Sequence, residues 1–276
     1  MVRPGRLKSQ INALLWSIEN DSGGQGYLFG TMHVRDRSAF YLVDNVMPYL
    51  KSCGRYAAEM DLGSVDLSSF EKAAQLPENK TLRSFFSDRH YAKVRASFLK
   101  SFEIDIDAYQ NRHPFLIISM LSEKLLRRDH MHSLDQHLWE MAGNMELDRI
   151  GLESYDAQIG IMESIEVRYQ IKNLRDIARN PAKFRNKIAT VVRYYEQQQV
   201  GKIYKESRRQ LGKLHKLLLK DRNQLMADRI SKSAAQEKLF AAFGAAHLGG
   251  KAGVIALLKR KGWKVRPVPI ASSIRS

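Results

Sequence analysis

The chain of 276 residues has one cysteine and no long apolar run, and both scarcities exclude classes of protein. A single thiol can form neither an internal disulfide nor a cysteine-rich zinc cluster, so any metal must be bound by His, Asp or Glu. No stretch approaches the roughly 20 apolar residues that a membrane helix requires. Because Cys53 has no base beside it in the sequence, we interpret it as a structural residue.

The chain also shows no secretion signal. Its first ten residues are basic and polar, and neither an apolar segment nor a cleavage site follows them. This pattern predicts a soluble, cytoplasmic protein. An exported protein is the alternative if the natural leader is missing from the sequence.

Four common catalytic or nucleotide-binding motifs are absent as well. The sequence contains no His-Glu-x-x-His helix, no Gly-x-x-x-x-Gly-Lys-Ser/Thr loop, no Gly-x-Ser-x-Gly elbow and no Gly-x-Gly-x-x-Gly turn. Zincin, nucleotide-hydrolase, serine-hydrolase and dinucleotide-binding functions therefore lack support.

Positive charge is abundant, with 45 Lys and Arg against 29 Asp and Glu, and it is concentrated in one segment. Residues 168–232 hold 18 Lys and Arg against 5 Asp and Glu. Such an excess attracts nucleic acid, anionic lipid or acidic protein, but it is also typical of a solvated helical surface. Both interpretations stay open. Few aromatic residues are interleaved with these charges, so sequence-specific nucleic-acid recognition is not expected.

Short apolar runs alternate with helical patterns along the chain. A Gly-rich turn between the first two runs predicts a hairpin, and a helical stretch before the third predicts parallel pairing through a crossover. Residues from about 157 to 232 form a large helical insertion. We therefore predict one α/β domain (mixed α+β) over residues 1–276, with a central mixed sheet and crossover helices. The strands are predicted at 14–19, 27–32, 56–61, 147–153, 238–244 and 263–268.

The same Gly-x-x-His pattern closes two of these predicted strands. Gly30 and His33 end the second apolar run, and Gly244 and His247 end the run near the carboxyl terminus. Each placement puts an imidazole where the sheet meets solvent, and folding alone can bring the two together. A glycine lets backbone pass close to the crevice just before each histidine.

Acidic residues end two further strands, at Glu59 and Glu153. Ligands of open sheets bind beyond the carboxyl ends of the strands, so these carboxylates and the imidazoles of His33 and His247 are expected in one crevice. Together they form a catalytic ligand set for zinc, manganese, cobalt or a similar ion, with one position open for water. Taken singly, each residue also has a structural interpretation, as a hydrogen-bonded histidine or a surface glutamate.

Three further positions have two interpretations each. Asp135 either caps a helix or faces the crevice. Arg222 and Asn223 either lie on a charged helix surface or clamp an oxyanion or carboxylate. One histidine-rich tract either binds metal or is a solvated loop. Its members are His130, His132 and His137.

Several short segments resemble the TraB/GumN family, which includes the plasmid pheromone-shutdown proteins and the animal Tiki proteases. The segments occur in the order of the family and span nearly the whole chain. They lie at 28–34, 58–62, 133–135, 151–154 with Gln158, 221–223, 243–248, 253–258 and 262–265.

The resemblance implies a mixed α/β core related to erythromycin-esterase-like and haem-uptake ChaN-like proteins. In the Tiki branch it implies metal-dependent proteolysis. Carried over residue by residue, it makes His33 and His247 metal ligands, Glu59 a ligand or general base, and Glu153 a further acidic member. The substrate-positioning group would comprise Arg222, Asn223, Asp135 and Gln158.

Three functional hypotheses follow from these observations. The leading one is a metal-dependent hydrolase, acting on peptide bonds, with His33, Glu59 and His247 as its catalytic residues. The second is a non-catalytic protein that binds haem or another small ligand through the histidines. The third is a polyanion-binding protein that uses residues 168–232, a basic segment that the resemblance does not account for.

Overall fold

A computed structural model describes residues 12–63, 66–77 and 79–270. The prediction about the first ten residues therefore lies outside the described residues. The described chain forms a six-stranded sheet with helices packed against it, which confirms the mixed α/β class. The strands are β1 (Leu15–Glu19), β2 (Gln25–Thr31), β3 (Arg55–Met60), β4 (Asp148–Glu153), β5 (Leu239–Gly244) and β6 (Lys264–Pro267).

The helices lie between the strands and connect them. Short 3-10 turns at Arg83–Phe85, Ile106–Tyr109, Gly212–Leu214 and Ala245–His247, and a π-helical turn at Lys216–Asp221, complete the regular structure described. The α-helices are α1 (Arg37–Phe40), α2 (Val43–Lys51), α3 (Leu67–Ala73), α4 (Asp88–Phe102), α5 (Pro114–Lys124), α6 (Leu134–Asn144), α7 (Tyr155–Ser164), α8 (Val167–Arg179), α9 (Pro181–Glu196), α10 (Val200–Leu211), α11 (Arg222–Ala234) and α12 (Val254–Arg260).

The strand order is β4-β3-β5-β2-β1-β6. β4, β3, β5 and β2 are parallel, and β1 pairs antiparallel with both β2 and β6. The predicted hairpin is confirmed as β1 and β2. The predicted direct pairing of β2 with β3 is wrong, because β5 lies between them. The apolar run of β5 is buried along nearly its whole length, as expected for a strand covered on both faces.

The segment from β4 to β5 is helical, as predicted, and consists of α7 to α11. Pro181 begins α9, and the side chain of Asn180 accepts a hydrogen bond from the Lys183 amide at this helix start. Residues 197–199 separate α9 from α10.

Buried apolar side chains form two clusters. One surrounds the sheet and includes Phe29, Tyr56 and Phe240. The other lies among α4, α5 and α8, around Phe98 and Leu174. The first cluster supports the parallel strands, and so it holds the edge at which the predicted site residues lie.

Among the described residues, no helix combines the length and the apolar character needed to cross a bilayer.

Candidate functional site

The carboxyl ends of the four parallel strands carry the four predicted ligands. Glu153 ends β4, and Glu59 lies one residue before the end of β3. His247 ends the 3-10 turn that follows β5, and His33 lies two residues beyond β2. The four side chains therefore follow one edge of the sheet, where α/β proteins place their ligand crevice.

The two Gly-x-x-His segments lie against each other at this edge. Gly30 pairs with Phe243 across β2 and β5. A Cβ atom on Gly30 would lie 2.7 Å from Leu248 Cδ1 and 3.1 Å from Ala245 Cα, so the segment of the second motif packs where a side chain would stand. A Cβ on Gly244 would lie 3.3 Å from Glu59 Oε2. A side chain at either glycine would therefore crowd its neighbours, and the role of the glycines in the site stays a prediction.

Arg222 joins the two carboxylates of the crevice. Its Nε lies 2.9 Å from both carboxylate oxygens of Glu153, and its Nη2 donates to Glu153 Oε2 and, at 2.5 Å, to Glu59 Oε1. Gln158 Nε2 also donates to Glu153 Oε2, at 3.1 Å. The Arg222 side chain is 14% exposed and that of Glu153 is 1% exposed. Arg222 is therefore a buried clamp on carboxylates and not a surface charge.

The Glu59 carboxylate is held in its ionised form. Burial opposes ionisation, but the neighbouring His247 and Arg222 and the backbone N–H of Gly244 outweigh it, so the pKa of Glu59 falls to about 2. The Gly244 amide donates to Glu59 Oε2 at 2.9 Å. The crevice thus contains a permanent carboxylate that is partly open to solvent, with a side-chain exposure of 26%.

His247 is buried and held by the residue that follows Arg222. Asn223 donates its amide group to the Ala252 carbonyl at 2.7 Å, so its Oδ1 faces His247 Nδ1, at 2.5 Å. That oxygen can only accept, and Nδ1 therefore carries the ring proton. Burial lowers the pKa of His247, which leaves the ring neutral near pH 7. Its other nitrogen, Nε2, lies 4.0 Å from Glu59 Oε1.

His33 occupies the open side of the crevice, with 69% of its side chain exposed. Asp135 Oδ2 lies 3.3 Å from its Nδ1, and Asp135 Oδ1 accepts a 2.5 Å hydrogen bond from Thr31. The neighbouring Asp135 carboxylate raises the pKa of His33, and the Glu59 charge adds to the rise. Ser133 rather than Asp135 caps α6.

No three His, Cys, Asp or Glu side chains in the described part of the chain are arranged to hold a metal ion as they stand. The donor chemistry at the edge nevertheless fits a divalent ion. Each histidine has its Nδ1 beside an oxygen acceptor, as metal-binding histidines usually do, and each keeps Nε2 for another partner. Glu59 supplies an ionised carboxylate whose oxygens accept one hydrogen bond each, whereas Glu153 Oε2 accepts from both Arg222 and Gln158.

The rings of the histidine-rich tract make contacts of their own. The ring of His130 stacks on Phe40, with 3.6 Å between ring centroids, and the ring of His137 lies 5.4 Å from the same phenyl group. His132 Nε2 lies 3.8 Å from Glu140. These contacts favour a packing role for His130 and His137. Cys53 also fits a structural role, because burial raises the pKa of its thiol to about 11.

Sequence reasoning missed two residues that hold β2 in place. Tyr195 is buried on α9, and its hydroxyl donates to the Gly30 carbonyl at 3.0 Å. Thr31 is buried and bonds Asp135, the partner of His33. Thr31 had a signal, since it lies inside the first Gly-x-x-His motif. Tyr195 had none, because its contact depends on how α9 crosses the end of β2.

Part of the basic segment serves the fold. Arg175 and Arg185 donate to the backbone carbonyls of Phe85 and Ser101, at 2.5 and 2.6 Å, and Arg229 donates to the Leu152 carbonyl at 3.0 Å. The last contact anchors α11, and with it Arg222, to the end of β4. Polyanion binding through residues 168–232 stays a prediction.

The family model of TraB/PrgY/gumN matches residues 14–267, nearly the whole chain. No curated protein and no solved structure matches the chain. The matched range contains both Gly-x-x-His segments, both carboxylates and the Arg222-Asn223 pair. The resemblance seen in the ordered motifs is thereby confirmed, and the chain belongs to the TraB/PrgY/gumN family.

Proposed function

We propose that the protein is a metal-dependent hydrolase whose site lies at the carboxyl edge of the parallel strands. One observation carries the proposal. His33 and His247 follow adjacent parallel strands and have their Nδ1 atoms beside oxygen acceptors, and His247 Nε2 lies 4.0 Å from the ionised carboxylate of Glu59. Such an arrangement suits metal binding through Nε2 better than it suits two structural histidines.

The proposed donors are His33, His247 and Glu59. A bound zinc, manganese or cobalt ion supplies Lewis-acid chemistry, polarising a carbonyl and lowering the pKa of a water molecule. A carboxylate with a pKa of about 2 is a weak base, so Glu59 suits a ligand better than a proton acceptor. Glu153 then has a different task, since it anchors Arg222 beside Glu59.

The remaining groups orient the donors and the substrate. Asn223 keeps the proton of His247 on Nδ1, which leaves the Nε2 lone pair toward Glu59. Arg222 lies beside the same carboxylate, where its positive charge favours a polarised carbonyl oxygen. The choice of a peptide bond rests on the resemblance to the Tiki branch, because the geometry accepts other carbonyl substrates as well.

Metal content tests the donor set without assuming a substrate. Chelator-treated protein is dialysed against manganese, cobalt or zinc, and bound metal is measured by mass spectrometry. We expect one ion per chain in the parent and strong loss in His33→Ala and His247→Ala. His90→Ala is the matched control, since His90 is an exposed histidine whose Nδ1 lies 2.8 Å from Ser87 Oγ. Equal metal content in all four proteins would overturn the proposal.

Hydrolysis is tested separately on a mixture of unstructured peptides in water labelled with heavy oxygen. New peptide carboxyl ends that carry the label, formed by the metal-loaded parent and absent with Glu59→Gln, support peptidase activity. If the protein binds metal but cleaves no peptide, the site binds metal for another reaction. If it binds no metal but shifts the absorption band of added haem, the ligand-binding hypothesis replaces this one.

A further inference from the structure

A cavity lined by none of the site residues named above lies among the helices that connect β4 to β5. Its volume is about 600 Å³, within the roughly 300–1,000 Å³ typical of small-molecule sites. Its walls come from α5, α8, α9, the end of α10 and the turns that follow α10. The turns that follow α10 contribute Leu218, which lies in the π-helical turn that precedes Arg222.

The lining of this cavity is mainly apolar and incompletely packed. Several of its side chains are only half-buried although they face a concave surface, and Phe115 at the start of α5 is 43% exposed. Apolar surface left open in a concavity favours an apolar ligand, since a ligand would remove that surface from water. The apolar lining includes Ile118, Ile165, Ile177, Phe184, Leu214 and Leu218.

Two lysines supply the charge at this cavity. Lys183 and Lys187 lie one turn apart on α9, so their side chains share a face of the helix, and both line the cavity. Asp176, the one acidic residue among the described residues of the lining, lies 3.5 Å from Arg179, which offsets its charge. Glu206 lies close enough to feel Lys187, and it already accepts from Arg209 and Gln210.

We propose that this cavity binds a long-chain carboxylate, with its hydrocarbon tail against the apolar lining and its carboxylate at Lys183 and Lys187. The combination of an apolar wall with two cations at one side matches an anionic amphiphile rather than a neutral or cationic one. No arginine contributes to the lining in the described part of the chain, and a lysine pair presents point charges rather than the planar fork that favours phosphate.

Binding is tested by calorimetry on the full chain, with laurate kept below its micellar concentration. Dodecyltrimethylammonium has the same tail and the opposite charge, so it separates head-group recognition from simple partitioning. We expect saturable binding of laurate at one site and binding of the cation at least about tenfold weaker, which corresponds to roughly 1.4 kcal/mol. No saturable binding of laurate, or equal binding of the cation, would overturn the proposal.

Two sets of variants locate the site. Lys183→Gln with Lys187→Gln is expected to weaken laurate binding about tenfold, as for the loss of hydrogen bonds to a charged group. Lys172→Gln with Lys205→Gln is the matched control, because both lysines are exposed, lie in the same basic segment and line no part of the cavity. Equal affinity of the two double variants would place any binding elsewhere and refute the assignment.

Leu214→Glu adds a carboxylate to the apolar wall and is expected to abolish laurate binding. Circular dichroism checks that this variant folds, and the lysine variants keep the test decisive if it does not. Because the measurement needs neither metal nor hydrolysis, its failure is distinct from failure of the proposed function.

Discussion

The two Gly-x-x-His segments share one motif and lie on adjacent parallel strands, yet their histidines occupy opposite environments. The side chain of His33 is 69% exposed and that of His247 is 6% exposed. A carboxylate, Asp135, faces the first ring, whereas a neutral amide, Asn223, faces the second. The pKa of His33 is raised and that of His247 is lowered.

This difference separates what the Gly-x-x-His motif determines from what the surrounding residues determine. In both cases a strand end presents an imidazole with Nδ1 beside an oxygen atom. The protonation state of each ring depends on its burial and on the charge of its partner. The partner of His33 lies on α6, and the partner of His247 lies on α11. His247 is thus a buried, neutral imidazole that donates through Nδ1, and His33 is an exposed imidazole paired with a carboxylate.

The largest effect is expected from Arg222→Met, which removes the guanidinium that joins Glu59 and Glu153 near the buried His247. Without the guanidinium, Glu153 keeps its buried charge beside Glu59 with little compensation, and we expect a loss of about 3–5 kcal/mol in the free energy of unfolding. Urea denaturation measures this loss. Arg83→Met, in a surface pair with Asp88, is the matched control and should change stability little. If the two variants lost equal amounts of stability, the contacts of Arg222 would contribute no more than a surface ion pair does.

A smaller effect is expected from removing each ring partner. Asn223→Ala leaves a buried Nδ1 unpaired and should reduce the free energy of unfolding by about 1–3 kcal/mol. Asp135→Ala should cost less, because water can reach His33. Nitrogen-15 correlation spectra should also show His247 losing its single tautomer in Asn223→Ala. A greater cost for Asp135→Ala would reverse the comparison.

The smallest effect is the separation of the two titrations in metal-free protein. Proton spectra of the imidazole rings should place the pKa of His33 above 6.5 and that of His247 below it. For His33, the stabilisation is complete below pH 6.5 and disappears as the pH rises through the folded-state pKa. For His247, stability falls as the pH drops below 6.5, because the unfolded chain takes up the proton first. Asp135→Asn should move the pKa of His33 downward, and coincident titrations would contradict the difference.

Much of the fold could be predicted from local patterns. The hairpin, the helical segment between β4 and β5 and the strand that ends at Gly244 follow from apolar periodicity and turn residues. The position of β5 between β3 and β2 did not follow, because strand order depends on which apolar run must be covered on both faces. A connection of many helices leaves that choice open.

The candidate site was predictable in its members and not in their roles. The carboxyl ends of parallel strands meet at one edge, so the sequence predicted that His33, Glu59, Glu153 and His247 would lie along it. The sequence did not predict that Arg222 would engage both oxygens of Glu153. A basic helix residue looks the same in sequence whether it is solvated or buried against carboxylates.

The sequence by itself determined the family, the class of fold and the residues that the sheet edge presents, because these depend on short motifs and on local periodicity. Only the tertiary structure decided that one histidine is a buried neutral donor and the other an exposed partner of Asp135. The physical reason is that solvation and the fields of neighbouring charges depend on distances, and folding alone sets the distances between residues far apart in the chain.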